Sequence, residues 1–446
     1  MSRPVRSLRG LQRRARRAVR PSSRTRRVLR FPKQTWRMLS NAAKWWIRLA
    51  AAAHLAAVAG VVVAEHFRKR RDPYRGVFPR TPPRSTQISE TTVTTFTFGQ
   101  DLYDAMLASI AQAQNTIYFE TFIWKGDEVG DQFKQALIAA ARRGVDVYVV
   151  VDSWGNLVVD PRFKRFPKLP NLHHLNFPLL RPGLLTLNIR KTGRDHRKLL
   201  VVDDHTGYVG GYNIGSLYAT TWRDTHLRLE GPATWELSNA FVDFWNDHRK
   251  RRHPELPDQG AERWEPRIRA AQNAPSRMLF PVRGLYLDAM DRAESHIYIT
   301  QAYFIPDREI LNALIGAARR GVDVRVVIPE ISNHIVTDWA ARSHYSQLLE
   351  AGVTLWLFKD AMVHAKTMTV DGRWSTVGTA NIDRMSLIGN FEINLEIFDA
   401  TLARHMEDIF RTDLTNCREL TKAEWESRGY GHRILERLIR PFSPLL

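Results

Sequence analysis

The sequence predicts an α/β protein made of two related halves, each a mainly parallel sheet covered by helices, behind a basic N-terminal segment. Three observations carry this. The octet Ala-Ala-Arg-Arg-Gly-Val-Asp-Val stands at Ala140–Val147 and again, unchanged, at Ala317–Val324. Both copies sit in the same strand, helix, strand pattern. Later in each half comes a matched segment in which a His is followed by a Lys two residues on and by an Asp five beyond that.

The chain has 446 residues, 44% of them hydrophobic, enough for two core-bearing units and an extra segment. Its net charge of +20 would suggest a nucleic-acid partner if it were spread evenly. It is not. Residues 1–75 carry 21 Lys and Arg against only Glu65 and Asp72, which leaves the body nearly neutral. The single cysteine, Cys417, excludes an internal disulfide and a Cys-built zinc site and fits a reducing compartment.

The basic run (1–48) ends at Trp45, Trp46 and Arg48, and an apolar stretch follows from Leu49 to Ala64, closed by Arg68–Arg71. Sixteen helical residues span roughly 24 Å, short of a ~30 Å hydrocarbon core. Trp and Arg around an apolar helix (49–67) suit a headgroup-level anchor, and the basic tail suits an anionic phospholipid membrane. A cleaved presequence or a disordered RNA-binding tail are the alternatives. Positive charge on both sides of the apolar run gives no orientation.

Residues 68–95, Pro-, Ser- and Thr-rich from Thr81 to Thr95, read as a linker. The first repeat then spans 96–247. Upstream of each octet stand a Leu-Tyr…Asp-Ala-Met segment (Leu102–Met106; Leu285–Met290) and an Ile-Tyr strand (Ile117, Tyr118; Ile297, Tyr298). Downstream is a buried strand, Tyr148–Val151 or Arg325–Ile328. The octet itself reads as the last helical turn, a Gly cap at Gly144 or Gly321, and the start of the next strand. A charged, Pro-rich connection (248–278) leads to the second repeat and a C-terminal helix (279–446), where Ile434–Ile439 carries apolar residues among arginines.

The chemistry lies in His196-Arg-Lys198-x4-Asp203 with Gly210-Gly-Tyr-Asn213, and in His364-Ala-Lys366-x4-Asp371 with Gly378-Thr-Ala-Asn381. His and Lys two apart on a strand share a face, so each segment presents an imidazole beside an ammonium. Asp224 and Glu392 each lie 28 residues after their repeat's histidine. A carboxylate fixes one ring nitrogen as a donor and frees the other to react, so these two are expected as histidine-orienting partners. A lone His or Lys is usually structural or solvated; two matched sets within a repeat favour function. His173 and His174 have no partner at metal-ligand spacing, and Trp222, Trp235 and Trp245 read as core or groove residues.

The paired His-x-Lys-x4-Asp segments, each followed by Gly-x-x-Asn, resemble the phospholipase D superfamily over residues 96–446. Trp222–Pro232, His364-Ala-Lys366-Thr, Asn390-Phe-Glu-Ile-Asn394 and Ser443-Pro-Leu-Leu446 are similar to the bacterial cardiolipin synthase branch. One departure is Asp383-Arg-Met-Ser386, where Asp-x-Arg-Ser is expected.

The resemblance implies two phospholipase D-like α/β/α repeats about a pseudo-twofold axis, with both histidines in one cleft. It implies catalytic roles for His196, Lys198, Asp203, His364, Lys366 and Asp371, with His196 attacking phosphorus and His364 as acid and base, and with Asp203 and Asp371 in support. Lys198, Lys366, Asn213 and Asn381 would surround the phosphate oxygens. No metal and no other cofactor is called for.

The expected reaction joins two phosphatidylglycerols into cardiolipin with release of glycerol, at a bacterial membrane. A phospholipase acting with water, a nuclease of the same superfamily and a non-catalytic scaffold are the other classes. A near-neutral body argues against a nucleic-acid partner. Nothing in the sequence sets the oligomeric state.

Overall fold

The computed structural model describes residues 76–179 and 193–430, apart from 259 and 262, together with positions 60 and 436. The basic tail, the apolar stretch 49–64 and nearly all of the C-terminal amphipathic segment lie outside the described residues. Among the described residues no helix is long and apolar enough to cross a membrane.

The first repeat runs β1 (Arg84–Ile88), β2 (Thr91–Phe96), α1 (Gly99–Gln112), β3 (Thr116–Thr121), α2 (Glu128–Arg142), β4 (Asp146–Asp152) and β5 (Leu172–Phe177). It continues with β6 (Leu199–Val202), β7 (Thr206–Gly210), α3 (Ser216–Thr220), β8 (Trp222–Arg223), β9 (His226–Glu230) and α4 (Trp235–His248). The second runs β10 (Ile268–Asn273), α5 (Pro281–Arg292), β11 (His296–Gln301), α6 (Arg308–Arg319), β12 (Asp323–Pro329), α7 (Ile335–Glu350) and β13 (Thr354–Phe358). After it come β14 (Met362–Val363), β15 (Lys366–Val370), β16 (Trp374–Gly378), α8 (Arg384–Ile388), β17 (Glu392–Ile397), α9 (Ala400–Leu414), β18 (Cys417–Glu419) and α10 (Lys422–Glu426).

Each repeat builds one eight-stranded sheet, in the orders β1-β2-β9-β7-β6-β3-β4-β5 and β10-β17-β16-β15-β11-β12-β13-β18. Seven places correspond, from β2 and β10 through to β5 and β13. The parallel strands β3-β4-β5 and β11-β12-β13 are joined through helices except for β4 and β5, which a loop connects, and the rest are antiparallel. The octets sit where their residues demand. Helices α2 and α6 end at Arg142 and Arg319, Gly144 and Gly321 take φ of +103° and +93°, and β4 and β12 begin two residues later. Asp127 and Asp307 cap the starts of these helices by accepting backbone N–H groups.

Three apolar layers result. Helices α1 and α2 cover one face of the first sheet, and α5, α6 and α7 one face of the second. A shared core joins the repeats: Val209, Leu227 and Leu229 meet Val377, Ile393 and Leu395, with Phe241 and Trp245 of α4.

Two boundaries differ from expectation. Thr81–Thr95 is not a linker, because most of it forms the β1–β2 hairpin at the edge of the first sheet. Its inward residues are Thr91, Val93, Thr94 and Thr95, so the strand pattern is written in threonine, with Ser85 Oγ and Thr94 Oγ1 2.9 Å apart. The connection is also shorter than 248–278, since β10 already pairs with β17. His173 and His174 lie on β5, His173 stacked on Tyr148 and His174 tilted against Phe166.

Candidate active site

The site is assembled by an exchange of chain between the repeats. Immediately before each histidine, one or two residues pair in parallel with the segment just ahead of the other repeat's carboxylate. Val363 pairs with Arg223, and Asp195 pairs with Phe391. His364 N–H donates to the Arg223 carbonyl (2.6 Å), and His196 N–H donates to the Phe391 carbonyl (3.0 Å). The contacts are reciprocal, as a pseudo-twofold axis requires.

This exchange crosses the orienting pairs. Equal 28-residue spacing invites a pairing within each repeat, but His196 Nδ1 lies 3.0 Å from Glu392 and His364 Nδ1 lies 2.6 Å from Asp224 Oδ2. An ionised carboxylate only accepts, so each Nδ1 carries the proton and each Nε2 is left to react. Lys198 Nζ donates to the His196 carbonyl (2.6 Å) and Lys366 Nζ to the His364 carbonyl. The charge of Lys366 reaches His196 and that of Lys198 reaches His364, which places both sets in one electrostatic site.

Burial dominates the titration. It pulls the Lys198 ammonium down to about 7, against the pull of Glu392, and the Lys366 ammonium down to about 8, against Asp224 and Glu392. Burial also lowers both imidazoles: His196 against the opposing Glu392 carboxylate, and His364 to about 3 with help from Lys366. Burial alone would raise the Asp224 carboxyl, but Lys366 and His364 outweigh it and hold it below its usual range.

The two carboxylates are seated differently. Gly211 leaves room for Asp224, because a Cβ there would stand 2.1 Å from Asp224 Oδ1. The matching residue, Thr379, instead donates its hydroxyl to Glu392 Oε2 at 2.6 Å. The two chain crossings also differ. Arg223, buried, makes paired hydrogen bonds to Asp413 of α9 (2.9 and 2.7 Å), whereas Phe391 packs among Phe177, Phe244 and His248. Sequence reasoning missed Arg223, Asp413 and Thr379. The only available signal was position, since Arg223 precedes an orienting carboxylate and Thr379 follows Gly378.

Asp203 and Asp371 do not reach this site. Seven residues of extended chain at ~3.3 Å each put them up to roughly 23 Å from the histidines. Both stand in turns at the far strand ends with φ of 52° and 53°. The Asp203 carboxylate accepts from the amides of Gln114, Asn115 and Thr116, and Asp371 from those of Glu294, Ser295 and His296. These bonds hold the Asp371 carboxyl below its ordinary range although burial opposes them. Both aspartates therefore tie the sheet's far end together.

Asn213 and Asn381 are buried beside the cleft. Asn213 Oδ1 is already engaged by the Ile123 amide at 3.1 Å, while Asn381 Oδ1 has no hydrogen-bond partner among the described residues. Trp222 and Tyr303 flank His364, with ring centroids 5.1 and 6.1 Å away, and Phe122 lies 4.8 Å from His196.

A family model described as cardiolipin synthase, PLD-like domain matches residues 106–245 and 286–414. The chain is 35% identical over 370 residues to the major cardiolipin synthase of Bacillus subtilis, covering 80% of this chain and 76% of that one. It is 32% identical to cardiolipin synthases of Listeria monocytogenes (81% and 76% covered) and Staphylococcus aureus (79% and 73%). A solved phosphatidylserine synthase of Haemophilus influenzae shares the fold, with a TM-score of 0.61 and 15% identity over 85% of this chain and 97% of that one.

The ionic crossing can be tested on stability. Asp413→Ala leaves Arg223 buried without its partner and is expected to cost about 3–5 kcal/mol. Chemical denaturation should show the paired change Arg223→Met with Asp413→Leu recovering most of that loss. An Asp413→Ala protein as stable as the parent would mean the pair does not hold the crossing.

Proposed function

The chain belongs to the cardiolipin synthase family of PLD-like domain proteins, and on that basis we propose that it is a phosphatidyltransferase that makes cardiolipin from phosphatidylglycerol. One observation supports a two-step reaction above all others. Two imidazoles, each fixed at Nδ1 by a buried carboxylate from the other repeat, share one cleft with two buried ammonium groups.

A phosphodiester anion repels nucleophiles, so its oxygens need cations. Lys198 and Lys366 supply them, and Asn381 has acceptor and donor capacity beside them. His196 Nε2, neutral and directed by Glu392, attacks phosphorus. His364 donates a proton to the departing glycerol oxygen, and the phosphatidyl group is then held on His196. The alcohol of a second phosphatidylglycerol gives its proton to His364, attacks phosphorus and restores His196. Nucleophile and base exchange no protons directly; each works through its own carboxylate.

His364 takes up the proton for the first step from solvent as the substrate anion binds. On their own, the surroundings of His364 favour the neutral ring. A phosphate charge between the lysines offsets the repulsion from Lys366 and favours the imidazolium that Asp224 stabilises.

Separate roles for the histidines give separate variants. His196→Ala should form neither covalent adduct nor product. His364→Ala, given an activated phosphodiester that needs no protonation to leave, should accumulate an adduct on His196 that persists for want of a base. Intact-mass analysis reads both; an adduct on His364 in the His196→Ala protein would reverse the assignment.

The lysines set the alkaline limb. Above about 7 for Lys198 and about 8 for Lys366 the free enzyme loses the cations that hold the phosphate. kcat/KM for phosphatidylglycerol should therefore fall as pH rises through this range. The limb in kcat should lie at higher pH, because bound phosphate raises both lysines. Identical alkaline limbs in the two parameters would contradict this reading.

A further inference from the structure

Two cavities occupy matching places in the repeats, each over the carboxyl ends of the parallel strands, where α/β sheets receive ligands. One lies beyond β3, β4 and β5 with a volume of about 200 Å³, and the other beyond β11, β12 and β13 with about 340 Å³. Their contents differ. In the first repeat the polar groups of the wall are satisfied within the chain: the Asn156 amide donates to the Phe122 and Asp152 carbonyls and accepts from the Trp124 N–H, each at 2.8 Å. The one ammonium lining it, Lys164, donates to the Asn156 carbonyl.

In the second repeat Arg342 of α7 lines the larger cavity, its guanidinium over the rings of Trp339 and Trp425 at 5.0 and 6.0 Å. Among the described residues no carboxylate lies within ion-pair distance of it. Glu330 and Glu424, which share the cavity, are both taken up by Arg418, and Asp338 accepts the Ser332 amide. Tyr303 forms part of the wall and is also the ring beside His364. Among the described residues the cavity thus holds an arginine whose partners are aromatic, with Tyr303 between it and the histidine assigned as base.

Joining two phospholipids requires a place for the second one's own phosphate, which cannot lie between Lys198 and Lys366 while the first phosphorus is there. We infer that the cavity beyond β11–β13 takes the phosphate headgroup of the acceptor phospholipid, with Arg342 as its cation. This rests on the phosphatidyl-transfer reading above. The acceptor hydroxyl oxygen forms a bond to phosphorus, the bond from phosphorus to His196 breaks with its electron pair returning to the ring, and the hydroxyl proton passes to His364. Because the ammonium lining the first repeat's cavity is bonded to the chain, the cleft has one acceptor side. A planar guanidinium on aromatic faces is suited to a phosphate anion.

The test is a partition experiment with the full chain in phosphatidylglycerol vesicles containing 1-butanol, a neutral acceptor. Arg342→Gln is expected to lower the ratio of cardiolipin to phosphatidylbutanol roughly tenfold, the scale of one charged hydrogen-bonding contact. Arg342→Lys, which keeps the charge but not the stacked plane, should lower the ratio less than Arg342→Gln, and Lys164→Gln, in the first repeat's cavity, should leave it unchanged. An unchanged ratio in Arg342→Gln, or an equal fall in Arg342→Lys, would overturn the inference. With glycerol 3-phosphate as a third acceptor, a loss confined to that compound would assign the cavity to a soluble phosphate and overturn the lipid assignment. A parent enzyme that forms phosphatidylbutanol but no cardiolipin would instead remove the reading on which the inference rests.

Discussion

Two short parallel main-chain pairings, Val363 with Arg223 and Asp195 with Phe391, set the position of every reactive group in the cleft. Each histidine stands between the crossing and its own sheet's strand, β6 or β15, and each orienting carboxylate comes one residue beyond the crossing. The imidazole of one half can therefore be aligned only by the carboxylate of the other. Neither half carries a complete site, although each carries a complete motif. This is why one continuous core, from Val209 and Leu227 to Val377 and Ile393, underlies the cleft. A shift between the sheets would separate both histidines from their carboxylates at once.

Within that symmetric frame the two halves are chemically unequal. One crossing is held by the buried Arg223–Asp413 pair and the other by aromatic packing around Phe391. A short carboxylate against glycine faces His364, and a longer one tied to a threonine hydroxyl faces His196. One cavity is walled by a self-satisfied Asn156 and the other holds Arg342. A reaction with a nucleophile on one side and an acid and base on the other needs such differences, because a symmetric pair would give both imidazoles the same protonation state.

Much of this was legible in the sequence. The repeated octet located two helix ends and two strands to the residue, because Gly144 and Gly321 occupy a backbone conformation that other residues rarely adopt. The His-x-Lys spacing located the entry to one strand in each half, although His196, Lys198 and His364 stand just ahead of β6 and β15 rather than on them. The β1–β2 hairpin was hidden because threonine does not register as apolar although it packs inward. The role of Asp203 and Asp371 was hidden because motif membership says nothing about distance along an extended strand. The crossing of Asp224 and Glu392 and the Arg223–Asp413 bond, 190 residues apart in the chain, come from packing between repeats, which no local pattern encodes.

Crossed orientation is the central claim, and the imidazole nitrogens report it directly. Nitrogen-15 NMR of the histidine-labelled enzyme should show Glu392→Gln altering the ring resonances of His196 and leaving those of His364 in place, with Asp224→Asn doing the reverse. If Glu392→Gln instead moved His364, its neighbour in the same repeat, and spared His196, the carboxylates would serve their own halves and the exchange between repeats would not build the site.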